Sequence, residues 1–238
     1  MTGPNAIARR IRIVQNAILR AAQRAGRRRD EIRLIAVTKS VPVDRIRQAL
    51  EAGVVDLGEN RVQEALPKID SIGPGRLTWH FIGRLQRRKV KSVVGRFALI
   101  HSVDSLELAL EIDRRAKEAG LQQAVLLEVN IGEEASKSGF APAATAAALA
   151  ALDDLEHVTV KGLMAIPPRV EEPAAARPYF RALRELAQSS TRPTFRHVRM
   201  DELSMGMSGD YEVAVEEGAT IVRIGTAIFG ARPDRAVR

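Results

Sequence analysis

Short runs rich in valine and isoleucine alternate with longer amphipathic stretches along most of the chain. Runs of the first kind are typical of buried strands, and apolar residues at helical spacing are typical of helices that cover a core. Eight strands are predicted in this way, at residues 33–39, 54–58, 77–83, 98–103, 123–131, 157–166, 197–206 and 219–225.

Helices are predicted before the first strand and between the strands. They span residues 6–25, 43–52, 61–69, 86–94, 105–119, 142–152, 173–189 and 210–217, with Ser105 as a good N-cap. Strands separated by helices of this length favour parallel βαβ units, and about eight such units favour a closed (β/α)₈ barrel. An open, doubly wound sheet is the alternative. In either case residues 1–238 are expected to form a single domain, with the first helix as an addition.

Composition limits the class of protein further. Of 238 residues, 45% are hydrophobic, which is enough for one well-buried core, and none is cysteine, which excludes disulfides and thiolate metal sites. We see neither a secretory signal nor an apolar run long enough to span a membrane, so a cytoplasmic location is expected. The net charge of +8 is compatible with nucleic acid or phosphorylated ligands. The basic runs lack interleaved aromatic residues, however, and solvated helix faces explain them as well.

Lys39 is the first candidate for chemistry. Residues alternate along the first predicted strand, so Ile35, Val37 and Lys39 share one face. If that face fills the barrel, Lys39 points into the upper mouth, where barrel proteins place their sites. Burial there disfavours the charged amine, and a neutral amine is what Schiff-base formation needs. The alternative is an exposed lysine at the end of a strand.

The loops after the seventh and eighth strands are the usual phosphate site of such barrels. The first loop offers Ser204, Gly206, Ser208 and Gly209. The second offers Gly225 and Thr226 just before a helical turn. Small residues let backbone N–H groups approach an anion, and the hydroxyl groups add further donors. Ordinary turn chemistry is the alternative for either loop alone.

Arg223 alternates with Val222 and Ile224 in the eighth strand, so it is expected inside the barrel. A buried guanidinium needs an acceptor, which could be a pyridine nitrogen or the carboxylate of a structural salt bridge. His80 in the third strand is interpreted as a core histidine with its hydrogen bonds satisfied. The spacing of the four histidines does not indicate a metal site.

The chain resembles the pyridoxal-phosphate homeostasis proteins, which are related to the N-terminal barrel of alanine racemase. The similarity runs from Leu34 to Arg232, nearly the whole chain. The segments that carry it are LIAVTKSVP, DLGENRVQEA, WHFIGRLQRRKVK, IHSVDS, EVNIGEEASKSGF, GLMAI and LSMGMSGDYEVAVEEGATIVRIGTAIFGAR.

The resemblance implies a fold-type III barrel that binds one pyridoxal 5′-phosphate (PLP). It implies that Lys39 forms the Schiff base and that Arg223 faces the pyridine nitrogen. The phosphate would be held by Ser204, Gly225 and Thr226, with help from the backbone near Met205. Asn60 and His80 would lie near the ring. Lys137 lies in a shared loop without an assigned role, and Arg88 replaces the asparagine that is usual in the family.

The resemblance also implies a function in vitamin B6 homeostasis, in which the protein buffers PLP or delivers it to apo forms of PLP enzymes. An arginine opposite the pyridine nitrogen makes the cofactor a poor electron sink. Racemases of this type add a second domain with a catalytic tyrosine, whereas Tyr179 and Tyr211 here both fall in predicted helices. We therefore expect a carrier, not an enzyme, acting as a monomer or weak dimer without nucleic acid or membrane partners. A racemase of weak activity is the alternative.

Overall fold

The computed structural model describes residues 6–191 and 195–231, and its eight strands form a closed parallel barrel in chain order. The strands are β1 (Arg33–Val37), β2 (Asp56–Glu59), β3 (Thr78–Phe81), β4 (Leu99–Val103), β5 (Gln123–Glu128), β6 (Val158–Met164), β7 (Val198–Ser204) and β8 (Ile221–Ile224). β1 pairs with both β2 and β8, which closes the barrel. The predicted closed barrel is confirmed, and the open-sheet alternative is wrong. Most strands are shorter than predicted.

The helices alternate with the strands as expected. They are α1 (Ala6–Arg24), α2 (Val43–Glu51), α3 (Val62–Ile72), α4 (Leu106–Glu118), α5 (Thr145–Asp153), α6 (Arg177–Ser190), α7 (Tyr211–Glu216) and α8 (Thr226–Phe229). Ser105 caps α4 by accepting a hydrogen bond from the backbone N–H of Leu108 at 3.4 Å. The predicted helix at 86–94 is a 3₁₀ helix, Arg87–Ser92, so β3 and β4 are joined by a shorter element than expected.

Helix α1 completes the outer layer. Because α8 is a single turn, it cannot cover β8 alone, and α1 packs beside it against α2 and α7. Apolar residues at helical spacing along α1 are buried in this contact, among them Ile7, Ile11 and Ile18. Arg27, just after α1, donates from one guanidinium nitrogen to the carbonyl oxygens of Val215 and Ala219. The additional helix therefore takes the place that a full eighth helix would fill.

Two faces of the strands bury different side chains, as the alternation predicts. The barrel interior holds an apolar cluster of Ile35, Leu99, Leu126, Met164 and Ile221. The alternate positions pack against the helices. Gly58 makes room for the interior cluster, because a Cβ at that position would lie 2.8 Å from the Cγ2 atom of Ile35. Polar side chains occupy the remaining interior and the carboxyl ends of the strands. No helix in the described part of the chain combines the length and hydropathy of a membrane span.

Candidate functional site

Lys39 lies two residues beyond the end of β1, in a tight turn at the carboxyl end of the barrel. The turn is closed by a hydrogen bond of 2.9 Å from the N–H of Val41 to the carbonyl of Thr38. Ser40 has φ of +59°, in the left-handed region that costs a residue with a Cβ about 1–2 kcal/mol. The lysine is half-buried. A strained turn persists only when its surroundings hold it.

Helix α3 and the end of β2 supply that support. Thr38 Oγ1 donates to Glu59 Oε1 at 2.6 Å, and Lys68 Nζ donates to the same oxygen at 2.6 Å. Lys68 Nζ also donates to the carbonyl of Thr38 at 2.7 Å, and Glu64 accepts from the N–H of Ser40 at 3.1 Å. Glu59 is completely buried. These contacts fix the backbone on both sides of Lys39.

Arg223 points into the barrel from β8, the strand adjacent to β1. It is 4% exposed, donates to Ser204 Oγ at 2.5 Å and donates to the carbonyl of Ala165 at 3.1 Å. Among the described residues both of its hydrogen bonds go to neutral oxygens and no carboxylate forms an ion pair with it, so the salt-bridge alternative is not how the guanidinium is held. Burial lowers the pKa of Arg223 to about 10, against the attraction of Glu128 and Asp210. It therefore remains a cation at neutral pH.

A chain of buried hydrogen bonds continues from Ser204 through the barrel. Ser204 Oγ lies 2.8 Å from Nδ1 of His101, and Nε2 of His101 lies 3.1 Å from Nδ1 of His80. Nε2 of His80 lies 3.0 Å from Oδ1 of Asp56, at the start of β2. Burial, followed by repulsion from His80 and Arg223, holds the pKa of His101 well below its usual value. Both nitrogens of His80 are engaged, as the interpretation of a satisfied core histidine requires.

The loops after β7 and β8 meet through Ser208. Its Oγ accepts hydrogen bonds of 3.3 Å from the N–H groups of Gly225 and Ala227. Thr226 begins α8 and is exposed. The N–H of Met205 donates to the carbonyl of Ile221 at 3.1 Å and belongs to the sheet. The hydroxyl that joins the two loops is therefore that of Ser208.

The phosphate contacts predicted for Ser204 and Met205 stay predictions, because the structure gives both groups other partners. The hydroxyl of Ser204 is completely buried and bonded to Arg223 and His101. Sequence alone could not separate Ser204 from Ser208. The difference depends on the residue at which β7 ends, which alternation within the segment 197–206 does not fix.

Asn60 follows β2 and faces a tightly packed backbone. A Cβ on Gly83 would lie 2.3 Å from the carbonyl oxygen of Asn60, so only glycine fits at that position. Asn60 Oδ1 is buried and has no hydrogen-bond partner among the described residues. An unpaired buried polar atom costs about 1–3 kcal/mol, and such an atom at the carboxyl end of the barrel is suited to a polar ligand.

Acidic groups complete the mouth of the barrel. Burial, reinforced by repulsion from Asp104, raises the pKa of Glu128 at the end of β5, while Arg223 and Arg84 oppose the shift. Burial also raises the pKa of Asp210, despite the hydrogen bond that its carboxylate accepts from the N–H of Met207 at 2.6 Å. The charges of the mouth therefore include both signs around Arg223.

Lys137 and Arg88 lie away from these contacts. Lys137 pairs with Glu134 and donates to the carbonyl of Pro167 at 3.0 Å, which ties the loops after β5 and β6 together. Arg88 is exposed, bonds to Gln86 and lines a surface groove beside α4. Among residues 6–191 and 195–231, no three His, Asp or Glu side chains are grouped as metal ligands.

Six of the predicted site residues therefore lie at or just beyond the carboxyl ends of four adjacent strands. Ser204 and Met205 come from β7, Gly225 and Thr226 from β8, and Lys39 from β1, with Asn60 after the neighbouring β2. Sequence reasoning missed His101, Asp56 and the supporting side chains of α3. His101 alternates with the interior residue Leu99, and this signal could have placed it inside the barrel.

Comparisons with known proteins agree with the fold. The family model "Alanine racemase, N-terminal domain" matches residues 10–233. The alanine racemase of Clostridium difficile has a similar fold, with a TM-score of 0.72 at 16% identity over 98% of this chain and 59% of that chain. These matches define the class: a barrel of the alanine racemase N-terminal type.

Two further proteins are more similar in sequence. The pyridoxal phosphate homeostasis protein of Aquifex aeolicus is 47% identical over 228 residues, which cover 96% of this chain and 99% of the relative. The structure of PipY from Synechococcus elongatus with PLP bound has a TM-score of 0.81 at 37% identity, covering 94% of this chain and 100% of that chain. The chain belongs to the family of pyridoxal phosphate homeostasis proteins.

Proposed function

We propose that this protein binds PLP at the carboxyl end of its barrel and serves vitamin B6 homeostasis by holding and releasing the cofactor. The observation that carries the proposal is Arg223. Its buried guanidinium bonds only to neutral oxygens among the described residues. Arg223 lies on β8, which pairs with β1, the strand that leads to Lys39. It has five N–H donors, of which two are used by these contacts, so it can still bind an acceptor from a ligand.

The residues present fit the chemical groups of PLP. When bound, the cofactor supplies an aldehyde, an aromatic nitrogen and a phosphate. Lys39 forms the Schiff base with the aldehyde, and Arg223 donates to the ring nitrogen and keeps it unprotonated. Thr226 and the backbone of Gly225 hold the phosphate, and Asn60 lies near the ring. Ser204, Met205 and His80 complete the site, Ser204 and His80 through the interior hydrogen-bond chain.

The same arrangement supports a carrier over a catalyst. An unprotonated ring nitrogen stabilises a carbanion poorly, and racemisation by two bases needs a second acid/base opposite the lysine. Both tyrosines lie in the outer helices, Tyr179 in α6 and Tyr211 in α7, where Tyr211 packs against the helix-facing core. The Aquifex relative is named as a homeostasis protein.

The partners and location follow from this role. Apo forms of PLP enzymes are the recipients of the cofactor, and the chain works as one domain, as a monomer or weak dimer in the cytoplasm. The absence of cysteine fits a reducing compartment.

Borohydride reduction of the PLP-loaded protein, followed by peptide mass spectrometry, tests the central assignment. We expect the pyridoxyl group on Lys39, because this lysine follows β1, the strand that pairs with β8 and its Arg223. Lys39→Ala should lose the yellow Schiff base and keep weak binding through the phosphate. Lys137→Ala is the matched control and should still be labelled at Lys39. A label found mainly on another lysine of the wild type contradicts the assignment.

A further inference from the structure

Three side chains, joined by four hydrogen bonds, connect Arg223 with Asp56 at the opposite end of the barrel interior. Ser204, His101 and His80 stand between the two charged groups, and successive atoms lie 2.5, 2.8, 3.1 and 3.0 Å apart. Ser204, His101 and His80 are each at most 1% exposed. The chain therefore crosses the barrel without contact with bulk water along its middle.

For neutral histidines, the two ends fix the direction of every hydrogen bond in this chain. A guanidinium only donates and a carboxylate only accepts. With both histidines neutral, Nε2–H of His80 donates to Asp56, Nε2–H of His101 donates to Nδ1 of His80, and the hydroxyl of Ser204 donates to Nδ1 of His101. The lone pairs of Ser204 then face Arg223. Burial also favours a neutral His101, because it lowers the pKa of that ring.

We propose that His101, His80 and Asp56 are positioning residues for the cofactor: their one-directional hydrogen bonds fix the hydroxyl of Ser204 as an acceptor and so hold Arg223 in place for the ring nitrogen. The inference rests on the proposed binding of PLP. It explains why two histidines and a serine lie beside the apolar cluster of the barrel interior. Burying a polar group is costly unless its donors and acceptors are paired, and this chain pairs them.

The first test measures the tautomers in the cofactor-free protein by ¹⁵N NMR of ¹⁵N-histidine. We expect His80 and His101 to carry their protons on Nε2, with unprotonated Nδ1 atoms. His157→Gln and His197→Gln remove the other two histidines for assignment. A proton on Nδ1 of His101, or a doubly protonated His80, reverses the direction of the chain and overturns the proposal.

The second test measures coupling across the barrel through PLP dissociation constants. Loss of one hydrogen bond in the chain should weaken binding about five- to tenfold, so we expect this for Asp56→Leu, with most of the affinity restored in Asp56→Asn. In a Ser204→Ala background, Asp56→Leu should have no further effect, because the chain is already broken.

Glu202→Leu is the matched control. Glu202 lies at the same end of the barrel and pairs with Arg33, as Asp56 does, but it is not part of the chain. Its affinity should stay within about twofold of the wild type. Additive effects of Asp56→Leu and Ser204→Ala, or an equal loss in Glu202→Leu, overturn the positioning role. A wild type that does not bind PLP overturns the proposed function instead, and the NMR result stands independently of it.

Discussion

Ser204 and Thr226 both lie near the carboxyl ends of the last two strands, but the structure gives their hydroxyl groups different surroundings. Ser204 is buried and accepts from Arg223, whereas Thr226 is exposed at the start of α8. Sequence reasoning expected both to hold the phosphate. The structure places Ser204 against Arg223, so under the proposed function its effect on the cofactor passes through Arg223.

Binding of PLP and of pyridoxal, which lacks the phosphate, separates these roles. Thr226→Ala should bind PLP about 10- to 100-fold more weakly, as expected for loss of a hydrogen bond to a charged group, and bind pyridoxal as the wild type does. Ser204→Ala should weaken both vitamers by the same factor. Isothermal titration measures both constants. If Ser204→Ala weakened the binding of PLP but not of pyridoxal, this serine would instead be assigned to the phosphate.

At the scale of elements, the helices and strands could be predicted from alternation and helical spacing, but two features could not. The segment predicted as an α-helix at 86–94 contains a 3₁₀ helix, Arg87–Ser92, and its residues Val90 and the following Val93 are buried. A spacing of three residues places side chains on one face of either helix type, so the pattern cannot distinguish them. Equally, no local pattern shows that α1 substitutes for a full eighth helix, because this depends on contacts between the two ends of the chain.

Helix α3 was predicted only as a helix between two strands, and the structure shows that its polar residues hold the Lys39 turn. Lys68 has a side chain that is 12% exposed and pairs with the fully buried Glu59. A buried carboxylate that loses its only cationic partner is costly, by about 3–5 kcal/mol. The support of the turn is therefore linked to the stability of the whole barrel.

Lys68→Met should lower the free energy of unfolding by about 3 kcal/mol, because Glu59 is left as a buried charge that has lost its ion pair and keeps the hydrogen bond from Thr38. Adding Glu59→Gln removes that charge and should recover most of the loss. Urea denaturation measures both effects. Arg47→Met is the control, since Arg47 also contacts α3, at the carbonyl of Ser71, but through an exposed bond. A double variant no more stable than Lys68→Met contradicts this account.

At the scale of the whole molecule, the barrel places cofactor-binding groups at its mouth and both tyrosines in its outer layer. Burial, followed by repulsion from Glu212, raises the pKa of Tyr211, and Arg20 of α1 opposes the shift. Tyr211 therefore interacts with the helix layer. The described part of the chain offers a lysine, an arginine and the two loops proposed to bind phosphate, but no tyrosine at the mouth to serve as a second acid/base.

A protein of this design should transfer its cofactor and should not turn over amino acids. We expect the PLP-loaded protein, mixed with an apo form of a PLP enzyme, to restore that enzyme's activity, because the bond from Lys39 to the cofactor is reversible. A panel of amino acids should show no steady racemisation, decarboxylation or transamination, since an unprotonated ring nitrogen stabilises the carbanion poorly and neither tyrosine of the described residues stands at the mouth as a second proton donor. Protein reduced with borohydride is the control and should restore nothing. If the protein turned over any amino acid repeatedly and Lys39→Ala abolished that activity, the protein would be an enzyme. If it neither transferred the cofactor nor turned over amino acids, storage of the cofactor would be its role.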